Sequence, residues 1–210
     1  MREIRLLDDT LLYVHNAGEA LSDHIVREQD YFEKEILEYL ADKYPQHETI
    51  LDIGANIGNH SVYFSQYLEY SSIIAFEPIP DNIELLMKNV KDRPNISIRQ
   101  EAVGDKTEKV KMTIKRDNMG ACEVNDFGTE VVQQTRVDDW FIISPVTLMK
   151  IDVEWRELQV LDGAKNTLKE DKPLILIEDS SQLYFDTLNS LGYDIIKAWN
   201  HHNTYLYGAR

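Results

Sequence analysis

Apolar residues fall in two rhythms along this chain, and the rhythms alternate. Residues 49–53, 72–76, 96–103, 147–151 and 173–177 are short, mostly apolar runs of the length expected of buried strands. Between them lie segments whose apolar residues recur every three or four positions. These are 59–70, the stretch after Asp81 with Leu86, Met87 and Val90, the stretch with Leu158, Leu161, Ala164 and Leu168, and 182–191. That spacing predicts amphipathic helices. Asp81 with Glu84 three residues on predicts a capping box at the start of the second. Ahead of the alternation, Ile4 and Leu6, then Leu11 and Tyr13, flank Asp8-Asp9-Thr10 and predict a small hairpin. Phe32, Ile36, Tyr39 and Leu40 predict one helix over 24–43.

Strand–helix repetition implies an α/β fold with a mostly parallel sheet and helices on both faces. The last two strands, 193–198 and 204–207, are joined by a loop too short for a parallel crossover, so one antiparallel strand is expected near the end. Residues 105–140 depart from the rhythm. Their strand-like runs, 110–114 and 131–137, flank the polar turn Asp117-Asn-Met-Gly-Ala-Cys-Glu123 and predict a small β insertion near the mouth of the cleft. No repeat, low-complexity tract or linker divides the chain. A single domain over 1–210 is expected, entered through the hairpin and helix of residues 1–45.

Composition narrows the partners. Hydrophobic residues at 43% and charged residues at 28% suit a water-soluble domain, and no stretch approaches the roughly 20 apolar residues of a membrane span. Asp8 and Asp9 stand where a signal peptide needs its apolar centre, so a cytoplasmic location is expected. The single cysteine, Cys122, excludes an internal disulfide and cysteine-rich metal sites, and reads best as a small apolar residue. A formal charge of −15 argues against nucleic acid and anionic lipid and leaves room for a neutral or cationic acceptor.

In open parallel sheets, ligands sit beyond the carboxyl ends of strands where the strand order reverses. Ile50-Leu-Asp-Ile-Gly-Ala-Asn-Ile-Gly58 is the candidate, a strand, a glycine turn and a helix start. A ligand-free turn is one reading. A dinucleotide would want a third glycine where Asn56 stands, and there is no Gly-Lys-Ser/Thr of a nucleotide loop. Asp52 by the turn can meet a cationic or hydrogen-bond-donating group. Glu77, ending the second strand before Pro78, can accept both hydroxyls of a ribose. A ribose without phosphates and with a charged amino-acid tail satisfies both acids, and S-adenosylmethionine is such a ligand. Glu101 and Ala102, closing the third strand, would border its adenine. The fourth strand ends Lys150-Ile-Asp152-Val-Glu154. If it stays extended, Lys150, Asp152 and Glu154 face the cleft together. Acids gathered at a helix start for its dipole are the plain alternative for Glu154 and Glu157.

LDIGANIGNHSVYFS, AFEPIPDN, EAVGD and RVDDW followed by LMKIDVEWRELQVLDGA together resemble the FkbM-type family of S-adenosylmethionine-dependent methyltransferases, from about Tyr31 to Glu178. The resemblance implies a Rossmann-like class I methyltransferase fold, a three-layer sandwich with a seven-stranded sheet, and O-methylation of a hydroxyl on a sugar, glycan or small molecule. By motif, it assigns Asp52, Gly54, Ala55, Asn56, Gly58, Asn59, Glu77 and Pro78 to the donor cradle. Tyr31, Glu101, Ala102 and Asp152 border it, and Lys150, Asp152 and Glu154 form the active-site strand. The family usually has glycine where this chain has Trp155, and often histidine after the acid ending the fifth strand, where this chain has Glu178-Asp179.

An alcohol must lose its proton as the new bond forms. Asp152, Glu154 and Glu178 could hold a divalent cation such as magnesium that acidifies the hydroxyl. Alternatively His201 or His202, on the loop between the last strands, could act as a base; two solvent histidines are the plain reading. The acceptor pocket is expected from Asn118, Gly120, Trp155, Glu178 and Trp199. Trp155 either stacks on a sugar face or fills the core. The rival readings are a nucleic-acid 2′-O-methyltransferase and a non-catalytic S-adenosylmethionine-binding protein. A monomer or homodimer fits the chain.

Overall fold

The computed structural model describes residues 1–178 and 182–210, so Asp179 lies outside the described residues. The hairpin forms as β1 (Arg2–Arg5) and β2 (Leu11–Val14). Two helices follow, α1 (Ala20–Glu28) and α2 (Lys34–Lys43), in place of the single helix expected over 24–43. The break comes from Gln29 and Glu33, both in the left-handed region at φ 53° and 56°. Asn59 stabilises the break by gripping the backbone of Phe32, accepting from its N–H at 3.0 Å and donating to its carbonyl at 3.1 Å.

The alternation then runs β3 (Gln46–Ile53), α3 (Asn59–Tyr67), β4 (Glu69–Phe76), α4 (Pro80–Val90) and β5 (Ile96–Arg99). The run 96–103 divides here: β6 (Ala102–Val103) leaves the main sheet and pairs with the insertion strands β7 (Glu108–Thr113), β8 (Glu123–Val124) and β9 (Glu130–Thr135) in a four-stranded sheet. The main rhythm resumes with β10 (Val146–Ile151), α5 (Glu157–Gly163), α6 (Lys165–Glu170), β11 (Leu174–Glu178), α7 (Gln182–Ser190), β12 (Tyr193–Trp199) and β13 (Thr204–Ala209).

The main sheet has the order β12-β13-β11-β10-β3-β4-β5. β13 runs antiparallel to both neighbours, while the other pairs are parallel. From β3 the chain winds outward to β4 and β5, then returns to lay β10 against the other side of β3. The carboxyl ends of β3 and β10 therefore lie side by side, with Ile53 opposite Ile151. Apolar side chains fill both faces. Ile50, Leu37, Leu40, Val62 and Leu86 share one core, and Leu51, Ile53, Val160, Leu161 and Leu188 the other, as the period of two along β3 requires.

The capping box does not form. Asp81 pairs with Arg116 and Glu84 with Lys88, while the Ile79 N–H ahead of α4 donates to Glu77 instead. Met87 is exposed and Leu158 half-buried, their inward places taken by Ile83 and Val160. Among the described residues, no helix is long and apolar enough to cross a membrane.

Candidate active site

The turn between β3 and α3 lies against the end of β10. Gly54 takes φ 79°, and a Cβ there would stand 1.8 Å from the Asp152 carbonyl oxygen. Gly58 takes φ 89° and would meet Leu86 at 2.6 Å. Conformation favours glycine at both, and at Gly54 the backbone leaves no space for anything larger, whereas at Gly58 the Leu86 side chain could swing aside.

Under the turn sits a buried ion cluster. Asp52 is wholly enclosed; one oxygen accepts from the Ser61 hydroxyl at 2.6 Å and the other lies 3.5 Å from Lys150 Nζ. Its carboxylate thus meets partners within the chain, a correction to its expected contact with the ligand. Lys150 Nζ also donates to the Gly54 carbonyl at 2.7 Å and lies 3.3 Å from Asp152. Burial works against this cation, but Asp152, Asp52 and Glu33 outweigh it and hold the ammonium above its usual range. Lys150 is therefore a fixed charge that ties the turn to the strand end.

Glu77 is buried and accepts three hydrogen bonds, from the N–H groups of Asn56 and Ile79 at 2.9 Å and from Asn82 Nδ2 at 3.1 Å. Burial pushes its carboxyl up to about 7 despite those donors. It faces a cavity of about 580 Å3 that also involves Gly54, Asn56, Pro78, Glu101 and Ala102. Two acceptors bordering this space, Asn56 Oδ1 and Glu101 Oε2, are buried without a hydrogen-bond partner among the described residues. The insertion closes it with Met112, Met119 and Cys122, which the sequence reading missed. Their signal was an apolar trio around a polar turn. Gly120 lies beside Asn56, and the tip is tied to α1 through Met119 N–H and the Glu19 carboxylate.

A second cavity, about 590 Å3, opens on the other side of Asp152 among Phe32, Glu33, Lys150, Glu178, His201, His202 and Thr204. A wider cleft bordered by Ala55, Asn56, Asn59, His60, Asn118, Gly120, Glu154 and Glu178 joins the two, and Asp152 borders all three spaces. Glu33 was not anticipated. The left-handed turn that breaks the helix aims it inward, 3.2 Å from His60 and accepting from the Thr204 hydroxyl at 3.1 Å. Burial alone would raise its carboxyl, yet His60 and Lys150 hold it below the ordinary range. Glu178 is pushed up to about 8 by burial of its head group and then by Asp152, although the residue as a whole remains open to solvent.

Several expected site residues stand elsewhere. Tyr31 is buried in the core, its hydroxyl donating to Thr10 and its ring edge-on to Tyr63. Trp199 is also core, edge-on to Tyr39. Trp155 neither fills the core nor meets a pocket wall described here; it is 65% exposed. The strand does not stay extended through 155, because Glu154 and Trp155 adopt φ 52° and 68°. Glu154 still reaches the cleft, with its carboxyl raised to about 7 by burial, Asp152 and Glu157. Asp152, Glu154 and Glu178 do not gather as a metal set: among the described residues, the three side chains with ligand atoms all within 4.8 Å are Glu35, His201 and His202.

A mostly parallel sheet that reverses its order at a glycine turn is the Rossmann-like α/β architecture of methyltransferases. The crystal structure of a methyltransferase FkbM from Methylobacillus flagellatus KT has this fold, with a TM-score of 0.59 at 22% identity over 77% of this chain and 43% of that one. The chain belongs to the methyltransferase FkbM domain family, which matches residues 52–207, and it is a methyltransferase. Methyltransferase 1 of Beauveria bassiana is 25% identical over 194 residues, 78% of this chain and 75% of that protein. Hexuronic acid methyltransferase AglP of Haloferax volcanii is 25% identical over 143 residues, 65% of this chain and 58% of that protein.

Proposed function

We propose that this protein is a class I, S-adenosylmethionine-dependent O-methyltransferase acting in the cytoplasm on a hydroxyl of a sugar, glycan or small molecule. The observation that carries this reading is Asp152, standing where a cavity of donor type meets a second, acid-lined one. The first cavity fits the donor. Gly54 lets the turn close against the strand end that carries Asp152, Glu77 offers its remaining lone pair, and the orphaned Asn56 and Glu101 oxygens need donors of the kind a ribose and an amine supply. When bound, the donor provides a methyl group on a positively charged sulfur.

The chain's own residues do the rest. Lys150 holds the Gly54 carbonyl and Asp152 in fixed relation, so the turn and the strand end move as one body. Asp152 borders both cavities and is placed to accept a hydrogen bond from an acceptor hydroxyl at their junction. Glu178 borders the same cavity and takes the proton in its ionised form, which is the minor form at neutral pH because burial and Asp152 push its carboxyl up to about 8, so transfer should speed up as pH rises toward that value. The insertion tip and its apolar trio keep water out of the first cavity.

The haloarchaeal relative supports a sugar acceptor. Here, however, Glu33, Asp152 and Glu178 around the second cavity favour a neutral or cationic sugar over a free uronate. They also stand against a polyanion, as does the charge of −15. Incubation with methyl-labelled S-adenosylmethionine and fractionated cell extract tests the reading. Label in the glycan or small-molecule fraction, lost in Asp152→Asn, is expected. Label in RNA would overturn the acceptor class, and donor binding without any transfer would overturn the enzyme.

A further inference from the structure

We propose that Glu35, His201 and His202 form a binding site for one divalent transition-metal ion of the zinc class at the mouth of the second cavity. Glu35 lies in the first turn of α2, and the histidines in the turn between β12 and β13. His201 Nε2 is 2.7 Å from Glu35 Oε1, and His202 Nε2 is 3.9 Å from the same oxygen. Zinc bound at about 2.0–2.1 Å in a tetrahedron sets its ligand atoms roughly 3.3 Å apart, between these two values. Rotations of side chains already at the surface are enough to reach that geometry.

Two features separate this from a pair of solvent histidines. First, both Nε2 atoms approach one carboxylate oxygen, with the rings 4.2 Å apart. A hydrogen bond accounts for one such approach, whereas a shared cation accounts for both. Second, a carboxylate stands on the far side of His202. Its other nitrogen, Nδ1, lies 3.9 Å from Glu33, which Thr204 and His60 hold in place, so the ring must tilt toward Glu33 by up to about 1 Å to make the hydrogen bond that backs a metal-bound histidine. A carboxylate behind a ligating imidazole orients the ring and raises its basicity. The backbone of the turn is also fixed, with His202 N–H donating to the Trp199 carbonyl at 3.0 Å. Three protein ligands leave a fourth position open, the arrangement of zinc sites that admit water or a substrate oxygen. Two imidazoles with one carboxylate select zinc, cobalt or nickel over magnesium, which prefers oxygen ligands alone.

Nothing in this site depends on the proposed reaction, so metal binding is measurable without an acceptor. Metal-free, full-length protein is titrated with zinc chloride by calorimetry and with cobalt(II) chloride by visible absorption. One saturable equivalent with a low-coordination cobalt spectrum is expected. His201→Ala, His202→Ala and Glu35→Gln should each weaken zinc by at least about tenfold while leaving the melting temperature of the metal-free protein unchanged. His24→Ala, which removes a histidine of α1 that borders the wider cleft and is not among the three ligands, should leave the affinity as it was. Absence of saturable binding would overturn the proposal. So would zinc held equally well by the three variants, which would mark a diffuse attraction to an acidic surface.

Discussion

Gly54→Ala tests the central claim about the site, that the turn after β3 and the end of β10 are one rigid unit. A Cβ at residue 54 would lie 1.8 Å from the Asp152 carbonyl oxygen, and real Cβ contacts essentially never fall below 3.0 Å. The two backbones must therefore separate by at least 3.0 − 1.8 = 1.2 Å. They are held together by the Asp152 N–H donating to the Ile53 carbonyl at 3.1 Å and by the Lys150 bond to the Gly54 carbonyl. The backbone itself adds a penalty of about 1–2 kcal/mol for a non-glycine residue in the left-handed region. Gly192→Ala isolates that second part, since Gly192 has φ 88° with nothing within 4 Å of its Cβ position. Gly192→Ala should thus cost about 1–2 kcal/mol. Gly54→Ala should cost a further 1–3 kcal/mol or so, the usual range for overpacking. In a chain of this size each kcal/mol lowers the melting temperature by about 2–4 °C. Thermal unfolding of both variants, with S-adenosylmethionine affinity by calorimetry, reads the difference. Gly54→Ala should lose donor binding while Gly192→Ala keeps it. If the two variants melt together and bind alike, the close approach of Gly54 to Asp152 has no energetic consequence, and the account of a rigid site fails.

Lys150→Met should cost about 3–5 kcal/mol in urea unfolding, because it strands the enclosed Asp52 carboxylate without its cation; a loss below about 1 kcal/mol would refute the bracing role. Trp199→Ala should cost about 3–5 kcal/mol as a core truncation yet leave the acceptor KM unchanged, and a raised acceptor KM at unchanged stability would return Trp199 to the acceptor pocket. Glu77 titrates near 7 in the folded chain against an ordinary 4.5, so the folded state keeps its proton to higher pH than the unfolded state does. Its contribution is fully present below about 4.5 and is lost as pH rises to about 7, by about 3 kcal/mol. The melting temperature of the donor-free protein should fall over that window, with Glu154 and Glu178 acting in the same direction, and the fall should shrink in Glu77→Gln. A profile equally steep in the variant would contradict the assignment.

Much of the fold was readable because its strands are buried on both faces and stand out as apolar runs bounded by turns. The breaks were not. Gln29 and Glu33 take left-handed dihedrals with none of the glycine or asparagine that signals such a turn, and the grip of Asn59 on Phe32 is a contact between distant elements. The split of 96–103 is likewise hidden, since Arg99-Gln-Glu101 carries no breaker and only pairing with β9 draws β6 away. The same distinction separates the two halves of the site. Glycine turn, strand-end acid and following helix are neighbours in sequence, so the donor cradle is written locally. The second cavity brings together Glu33, Glu178 and the His202–Thr204 segment from three separate places, and the Glu33–Thr204 bond spans 171 positions. No local pattern records that assembly.

Trp155 shows where local and global demands conflict. A bulky residue in the left-handed region is an outlier that glycine would relieve. Burial does not compensate, because the indole is 65% exposed. Packing therefore gives no reason for the tryptophan, and strain of this kind persists where it serves a site. The kink at 154–155 turns Glu154 away from the strand axis, so that Asp152 alone reaches both cavities while Glu154 stays with the donor side and the cleft. Glycine would keep that kink and lose only the ring. What the ring adds over glycine therefore lies outside the folded core, as an apolar face exposed to solvent immediately after the strand that carries Asp152. Under the proposed function that face would be offered to the flat side of a sugar, and Trp155→Gly should then raise the acceptor KM without lowering the melting temperature; an unchanged KM would refute that role.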